Sequence, residues 1–250
     1  MTYGRPASTP RSLVQRGAHA AKLFVHRVGF DVTRDTFKHG FIPQLQAQGI
    51  DTVLDIGANT GQFAELLRRS GYAGRVHSVE PLSSAFEQLS AAASGDALWT
   101  VERAAVSDRA GTITMNVSGN SVSSSVLPML DTHAVAAPSA RYVAQEEAVA
   151  TTVDDIVASA GLVPERTLLK IDVQGYEKAV LDGAVTTLPR FAGVRTEMSL
   201  VALYDGQCLM PELIDHLGRN GFDLWFIEPG FAQPGTRRLL QVDGVFFGRG

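Results

Sequence analysis

The stretch Val53-Leu54-Asp55-Ile56-Gly57-Ala58-Asn59-Thr60-Gly61-Gln62 sets the architecture. An apolar strand ends in a carboxylate, a glycine-punctuated turn follows, and a helix opens at Phe63-Ala64-Glu65-Leu66-Leu67. Strand, tight turn and helix N-terminus are the usual start of a nucleotide-type site in an open α/β sheet. A dinucleotide site reads G-x-G-x-x-G after its strand. Here the pattern is D-x-G-x-x-x-G, with Asn59 where the second glycine would stand. A strand-end acid at Asp55 would meet a pyrophosphate badly, because two anions would share a dry crevice. It suits a cationic ligand group instead. S-adenosylmethionine carries both an ammonium and a sulfonium.

Glu80, twenty-five residues after Asp55, closes a second apolar run, Arg75-Val76-His77-Ser78-Val79. An acid at the end of strand two normally accepts hydrogen bonds from ribose hydroxyls. The expected cofactor contacts are therefore Asp55, the turn Gly57, Ala58, Asn59 and Gly61, and Glu80 with Pro81 beside it. The plainer alternative is two ordinary strand-end acids and two turn glycines.

Five segments, in order, resemble the FkbM-type family of S-adenosylmethionine-dependent methyltransferases. They are VLDIGANTGQFAELL, VHSVEP, AAVSDRAGTITM, TTVDDI and LLKIDVQGYEKAVLDGA, spanning roughly residues 50–190. Gln174 stands where that family commonly has glutamate. The resemblance implies a class I methyltransferase, with a mostly parallel seven-stranded Rossmann-like sheet, helices on both faces and a terminal antiparallel hairpin. It implies that the turn Ala105-Val106-Ser107-Asp108 covers the adenine, with the small Ala105 letting the ring approach the backbone. It points to a hydroxyl acceptor on a sugar, a glycolipid glycan or a secondary metabolite. The first fifty residues and the segment 118–147 lie outside it, so it says little about the acceptor.

Composition narrows the class. At 250 residues and 45% hydrophobic, the chain buries one full core. A net charge of −4 gives no case for a nucleic-acid surface. The single cysteine, Cys208, excludes an internal disulfide framework and fits a reducing cytoplasm; it is expected as a small buried hydrophobe. No apolar run is long enough to span a bilayer, and the N-terminal apolar stretch is broken by His26 and Arg27, unlike a signal peptide. A cytoplasmic location is expected.

Residues 1–48 read as a tail and helical extension, and 49–250 as the cofactor-binding domain. From Arg11 to Val28 a loose helical pattern carries Arg11, Arg16, Lys22 and Arg27 with no acid. Such a helix packs on the domain or on a second subunit of a homodimer; the competing reading is peripheral contact with an anionic membrane. A second helix is expected over 35–48, with Pro43 as an early break. Strands then alternate with helices: strands at 51–56, 75–80, 98–102, 167–171 and 194–197, helices at 61–70, 83–93, 152–158, 175–181 and 211–218. That alternation means a parallel sheet covered on both faces. Thr152 and Asp155 form a capping-box-like start. Residues 111–117 form an extra strand, and 223–227 with 240–248 a closing hairpin. The polar, Ser-rich segment 118–147 breaks the rhythm and is expected as a lid over the carboxyl ends of the strands.

Methyl transfer from a sulfonium is an in-line displacement in which the protein aligns donor and acceptor. For an alcohol acceptor it also removes a proton. Asp172 ends strand four and Glu197 ends strand five, neighbours in the resembled topology, so both carboxylates are expected at one spot. One of them serves as general base, or the pair holds a divalent ion such as Mg²⁺ that acidifies the hydroxyl. In the competing structural reading Asp172 caps the next helix and Glu197 pairs with Arg195 or Lys170. His133 in the lid is weighed against a catalytic role, Tyr176 packs over the ligand or in the core, and Trp99 and Trp225 are expected in the core. An S-adenosylmethionine-dependent O-methyltransferase is the reading these residues favour. A non-catalytic S-adenosylmethionine-binding scaffold and a NAD-dependent oxidoreductase are its rivals, the latter disfavoured by the Gly57–Gly61 spacing.

Overall fold

The computed structural model describes residues 37–249. The chain divides into two compact units, residues 1–41 and 42–250. Of the first, the described part is one π-type turn, Phe37–Phe41, whose two phenyl rings lie 4.8 Å apart. The basic segment 11–28, with its membrane and subunit readings, lies outside the described residues. The expected helix over 35–48 is Ile42–Ala47 in the second unit, with Pro43 in its first turn, where a missing N–H breaks no helical bond.

The second unit is built on a seven-stranded sheet. Its strands are β1 Thr52–Ile56, β2 Arg75–Val79, β3 Trp99–Glu102, β7 Thr167–Ile171, β8 Gly193–Ser199, β9 Phe222–Pro229 and β10 Gln241–Gly248. Their order is β3-β2-β1-β7-β8-β10-β9. The first five are parallel, and β10 runs antiparallel between β8 and β9. This is the class I methyltransferase sheet. Every residue of β1 and β7 is buried, as expected of central parallel strands covered on both faces. Leu54, Leu168 and Leu169 are fully buried there, each worth about 1.5–3 kcal/mol relative to exposure. The chain builds β1, β2 and β3 outward in one direction and then returns to β7 on the other side of β1. The order therefore reverses between β1 and β7, where open α/β sheets hold ligands.

A second, three-stranded sheet contains β4 Ala105–Val106, β5 Gly111–Ser118 and β6 Tyr142–Thr151 in the order β4-β6-β5. It corrects the expectation of irregular structure over 118–147. Ser118 ends β5, residues 142–147 belong to β6, and Asp131–Ala136 is helical. The connecting segment is thus 119–141. Trp225 also departs from expectation. It lies on the edge strand β9 with its face outward, 53% exposed, its ring edge-on to Phe247 at 4.9 Å. Trp99 is buried as expected. The helix Val153–Ser159 starts as read: Thr152 Oγ1 accepts from Asp155 N at 3.1 Å and donates to Asp155 Oδ2 at 2.8 Å.

Candidate cofactor and acceptor site

The turn after β1 is shaped by left-handed backbone. Gly57, Asn59 and Gly61 have φ of 72°, 47° and 96°. Two glycines there are demanded by neighbouring protein. A Cβ on Gly57 would lie 1.9 Å from the Asp172 carbonyl oxygen, and one on Gly61 would strike the Trp99 ring at 2.8 Å. Gly57 is what lets the β1 and β7 turns close on each other. Asn59, which has a side chain in a strained region, is held by its own contacts. Its N–H donates to Glu80 Oε2 at 2.9 Å, and its Oδ1 accepts from Thr60 N at 2.9 Å.

Glu80 is 4% exposed. Its Oε1 accepts from Leu82 N at 3.0 Å, so each carboxylate oxygen already holds one backbone donor. Burial nonetheless pushes its carboxyl up to about 7. A buried, incompletely compensated acid on a cavity wall is the arrangement a ligand hydroxyl completes.

That cavity, about 320 Å³, lies over the ends of β1, β2 and β7. Gly57, Ala58, Asn59, Glu80 and Pro81 line one side. Ala105, Val106, Leu82, Met115 and Val126 make an apolar wall suited to a flat ring. A polar acid opposite an apolar slot fits a nucleoside: hydroxyls to the acid, base to the slot.

Asp55 is not on this wall. It is fully buried, and the cation beside it is the chain's own Lys170, whose Nζ lies 2.8 Å from Asp55 Oδ1. The two are direct register partners on β1 and β7. Lys170 Nζ also donates to the carbonyls of Gly57 at 3.0 Å and Ile56 at 3.4 Å. Burial alone would pull the Lys170 ammonium down, but Asp55 and then Asp172 outweigh it and raise it. On its other side Asp55 Oδ2 accepts from Ser78 Oγ at 3.2 Å, and Ser78 Oγ accepts from Trp99 Nε1 at 3.0 Å. A buried polar chain thus crosses β7, β1, β2 and β3. The expectation that Asp55 meets a ligand ammonium directly is corrected: a lysine occupies that place.

Asp172 lines the cavity, 3.9 Å from Lys170 Nζ through Oδ2. Glu197 does not line it, although Asp172, the residue just past β7, follows on beside Glu197 of β8. Gln174 joins them. Its Nε2 donates to Asp172 Oδ1 at 2.8 Å and to Glu197 Oε2 at 3.1 Å. Gln241 Nε2 donates to the same Glu197 oxygen at 2.6 Å. Burial, and then the charges of Asp172, Glu177 and Asp243, hold the Glu197 carboxyl well above the usual range. Arg195 and Lys170, the alternative partners for Glu197, are engaged elsewhere. Arg195 pairs with Glu228 at 2.9 Å and Asp243 at 3.0 Å. Nor does Asp172 cap the next helix, Glu177–Asp182, whose N-cap is Tyr176 with no side-chain cap hydrogen bond; Glu177 instead holds the preceding turn, accepting from Val173 N at 3.3 Å and Gly175 N at 3.0 Å.

The Ser-rich segment reaches the cavity through Ser121, Val122 and Ser124. It is stapled rather than free: Ser125 pairs with Asn116 on β5, and its Oγ donates to the Gln174 carbonyl at 2.7 Å. His133 is buried against Tyr204 and Phe231 at 5.1 and 5.5 Å, off the cavity wall, and burial lowers its imidazole. Tyr176 lines the cavity with its hydroxyl 3.1 Å from Ser107 Oγ. Cys208 is partly buried, its thiol pushed up to about 11 by burial.

Residues 55–224, more than half of the chain, match the family described as the methyltransferase FkbM domain. The chain belongs to the FkbM methyltransferase family. No curated protein matches it. Among solved structures it is similar to the methyltransferase FkbM from Methylobacillus flagellatus KT, at 14% identity and TM-score 0.46, covering 78% of this chain. The chain spans 44% of that protein's length. It is also similar to an rRNA methylase from Streptococcus thermophilus, at 10% identity and TM-score 0.45, over 84% of this chain and 97% of that one. An S-adenosylmethionine-dependent methyltransferase from Mesorhizobium loti matches at 12% identity and TM-score 0.42, over 82% and 96%.

In this FkbM methyltransferase the cavity gathers Gly57, Ala58, Asn59, Glu80, Pro81, Ala105, Val106 and Asp172. Asp55, Gly61 and Glu197 stand behind the wall, buttressing it through Lys170, Trp99 and Gln174. Sequence reasoning missed Lys170, Gln174 and Phe63. A lysine inside the apolar run Leu168-Leu169-Lys170-Ile171 was the available signal, because a cation on a doubly covered strand needs an acid beside it. Phe63 lies under two cations, 5.1 Å from Arg195 Cζ and 5.6 Å from Lys170 Nζ. Among the described residues no helix is long and apolar enough to cross a membrane.

Proposed function

We propose that this FkbM methyltransferase transfers a methyl group from S-adenosylmethionine to a hydroxyl oxygen of a sugar, glycolipid glycan or secondary metabolite. The observation that carries the reading is Asp172. It is the carboxylate on the cavity wall at the β1/β7 reversal, with Oδ1 held by Gln174 and Oδ2 3.9 Å from Lys170 Nζ, its nearest polar partner among the described residues. When bound, the cofactor supplies a methyl group already activated on a sulfonium. Glu80 accepts from the ribose hydroxyls, and the Leu82, Ala105, Val106 and Met115 wall takes the adenine. Asp172 Oδ2 orients the acceptor O–H and receives its proton as the oxygen bonds to the methyl carbon and the carbon–sulfur bond breaks. A hard ion is not part of this reading, since the Asp172–Glu197 pair is bridged by a side-chain amide.

The polar surroundings favour a hydroxylated acceptor. A second cleft of about 600 Å³ meets the first cavity at Tyr176 and carries Asp108, Lys178, Asp182 and Gln207. A nucleic-acid acceptor has no support in the net charge of −4. The test is methyl transfer from labelled S-adenosylmethionine to a panel of sugars, glycolipids and phenols, alongside RNA and protein. Label entering only RNA or protein would sink the proposal.

A further inference from the structure

We infer that Gln174 is a positioning residue that closes the Asp172–Glu197 pair by hydrogen bonding, in the place a divalent cation would take between two strand-end carboxylates. Register brings the acids close: Lys170 pairs with Arg195 and Ile171 with Thr196, so Asp172, the residue just past β7, follows on beside Glu197 of β8. A carboxylate pair so placed needs positive charge or hydrogen-bond donors between its members. A primary amide has two N–H groups, and here both are spent, one on each acid, at 2.8 and 3.1 Å.

The amide's orientation is fixed by its far end. Gln174 Oε1 lies 3.0 Å from the Tyr204 hydroxyl, the shorter of the two contacts open to its single proton, the other being the Ser123 carbonyl at 3.2 Å. Turned over, the amide would press its oxygen against two carboxylates and lose both donors. The backbone is pinned as firmly. Gln174 sits at φ 55°, its carbonyl accepts from Ser125 Oγ at 2.7 Å, and Glu177 holds the N–H groups on either side. A cation such as Mg²⁺ or Mn²⁺ needs oxygen on every side at about 2.0–2.6 Å. This centre presents nitrogen-bound hydrogens instead. Among the described residues no group of three or more His, Cys, Asp and Glu is arranged to hold a metal.

The consequence rests on Asp172 being the acceptor-facing base. With Oδ1 tied to Gln174, Oδ2 is the oxygen left for the acceptor proton, and it is held in place without an ion. Glu197 works through Gln174 and not on the substrate.

The test uses Mn²⁺ as probe on the full chain, followed by the loss of its free six-line electron paramagnetic resonance signal. Wild-type protein is expected to leave Mn²⁺ free. Gln174→Glu keeps length and shape but replaces the donor amide with a third carboxylate, so it should bind Mn²⁺ at least roughly tenfold more tightly. Adding Asp172→Asn or Glu197→Gln to that variant should abolish the gain. Mn²⁺ bound by the wild type and released by Asp172→Asn or Glu197→Gln would overturn the inference, and needs no folded Gln174→Glu. So would a folded Gln174→Glu that binds no more tightly than wild type. The measurement uses neither methyl donor nor acceptor, so its failure is distinct from failure of the methyl-transfer reading.

Discussion

Lys170 Nζ sits 2.8 Å from Asp55 Oδ1 in the middle of the sheet, and both side chains are almost wholly removed from water. The pair fixes β1 against β7 at the point where the strand order reverses, and the same ammonium ties down the Gly57 and Ile56 carbonyls. Removing one member leaves the other as a buried, uncompensated charge. Lys170→Met is therefore expected to cost about 3–5 kcal/mol in stability. Pairing it with Asp55→Leu should recover much of that loss. Urea unfolding of the two variants checks this; a single variant as stable as wild type would show the pair to be unimportant.

Gly57→Ala should be among the most damaging single-methyl changes in the chain. The added Cβ meets backbone at 1.9 Å, and φ is 72°. Neither problem is relieved by a rotamer change, so a loss of at least about 2–3 kcal/mol is expected, with reduced soluble yield. Thermal melting of the purified variant reads it. A melting temperature equal to wild type would mean the β1 and β7 turns are not in contact as described.

Glu80 predicts a pH dependence. Burial raises its carboxyl from 4.5 to about 7. The unfolded chain ionises it first, so it draws stability down as pH rises from 4.5 to about 7. Ribose hydroxyls donate best to the ionised form, whose share rises from about one tenth at pH 6 to about nine tenths at pH 8. S-adenosylhomocysteine should accordingly bind roughly five- to tenfold more weakly at pH 6 than at pH 8. Glu80→Gln should flatten the dependence and lower affinity throughout. Calorimetry at both pH values decides it, and an unchanged slope in Glu80→Gln assigns the titration to another group.

Asp172→Asn keeps the shape of the cavity wall but cannot accept a proton. Turnover should fall by about 10²–10⁴ while S-adenosylhomocysteine affinity stays near wild type. Glu197→Gln should be milder, because Glu197 reaches the cavity only through Gln174. Equal losses in the two variants would place both acids on the substrate.

Much of this was readable in the sequence. The β1 turn, Glu80, Asp172, the central strands and the Thr152 cap all rest on local pattern: apolar runs, glycine spacing and residues at strand ends. What escaped depended on contacts between distant segments. Asp55 was read toward the ligand because its partner Lys170 is more than a hundred residues away in the chain. Asp172 and Glu197 are expected at one spot from their places at strand ends, but only Asp172 lines the cavity, and the reach of Gln174 between them depends on its left-handed backbone. Strand β6 hid because Val143 and Val149 are exposed and Glu146 reaches out to Arg103 at 2.8 Å and Ser83 N at 2.9 Å, which blurs the alternation. Trp225 shows the same limit: alternation places it on one face of β9 but does not say that this face looks outward.

The most direct measurement is a crystal structure with S-adenosylhomocysteine bound. The account predicts the ribose hydroxyls on Glu80, the adenine against Ala105, Val106 and Met115, and the sulfur within roughly 8 Å of Asp172 Oδ2, leaving room for one methyl and one acceptor oxygen. A sulfur directed away from Asp172, or a nucleoside seated outside the cavity over β1, β2 and β7, would contradict it.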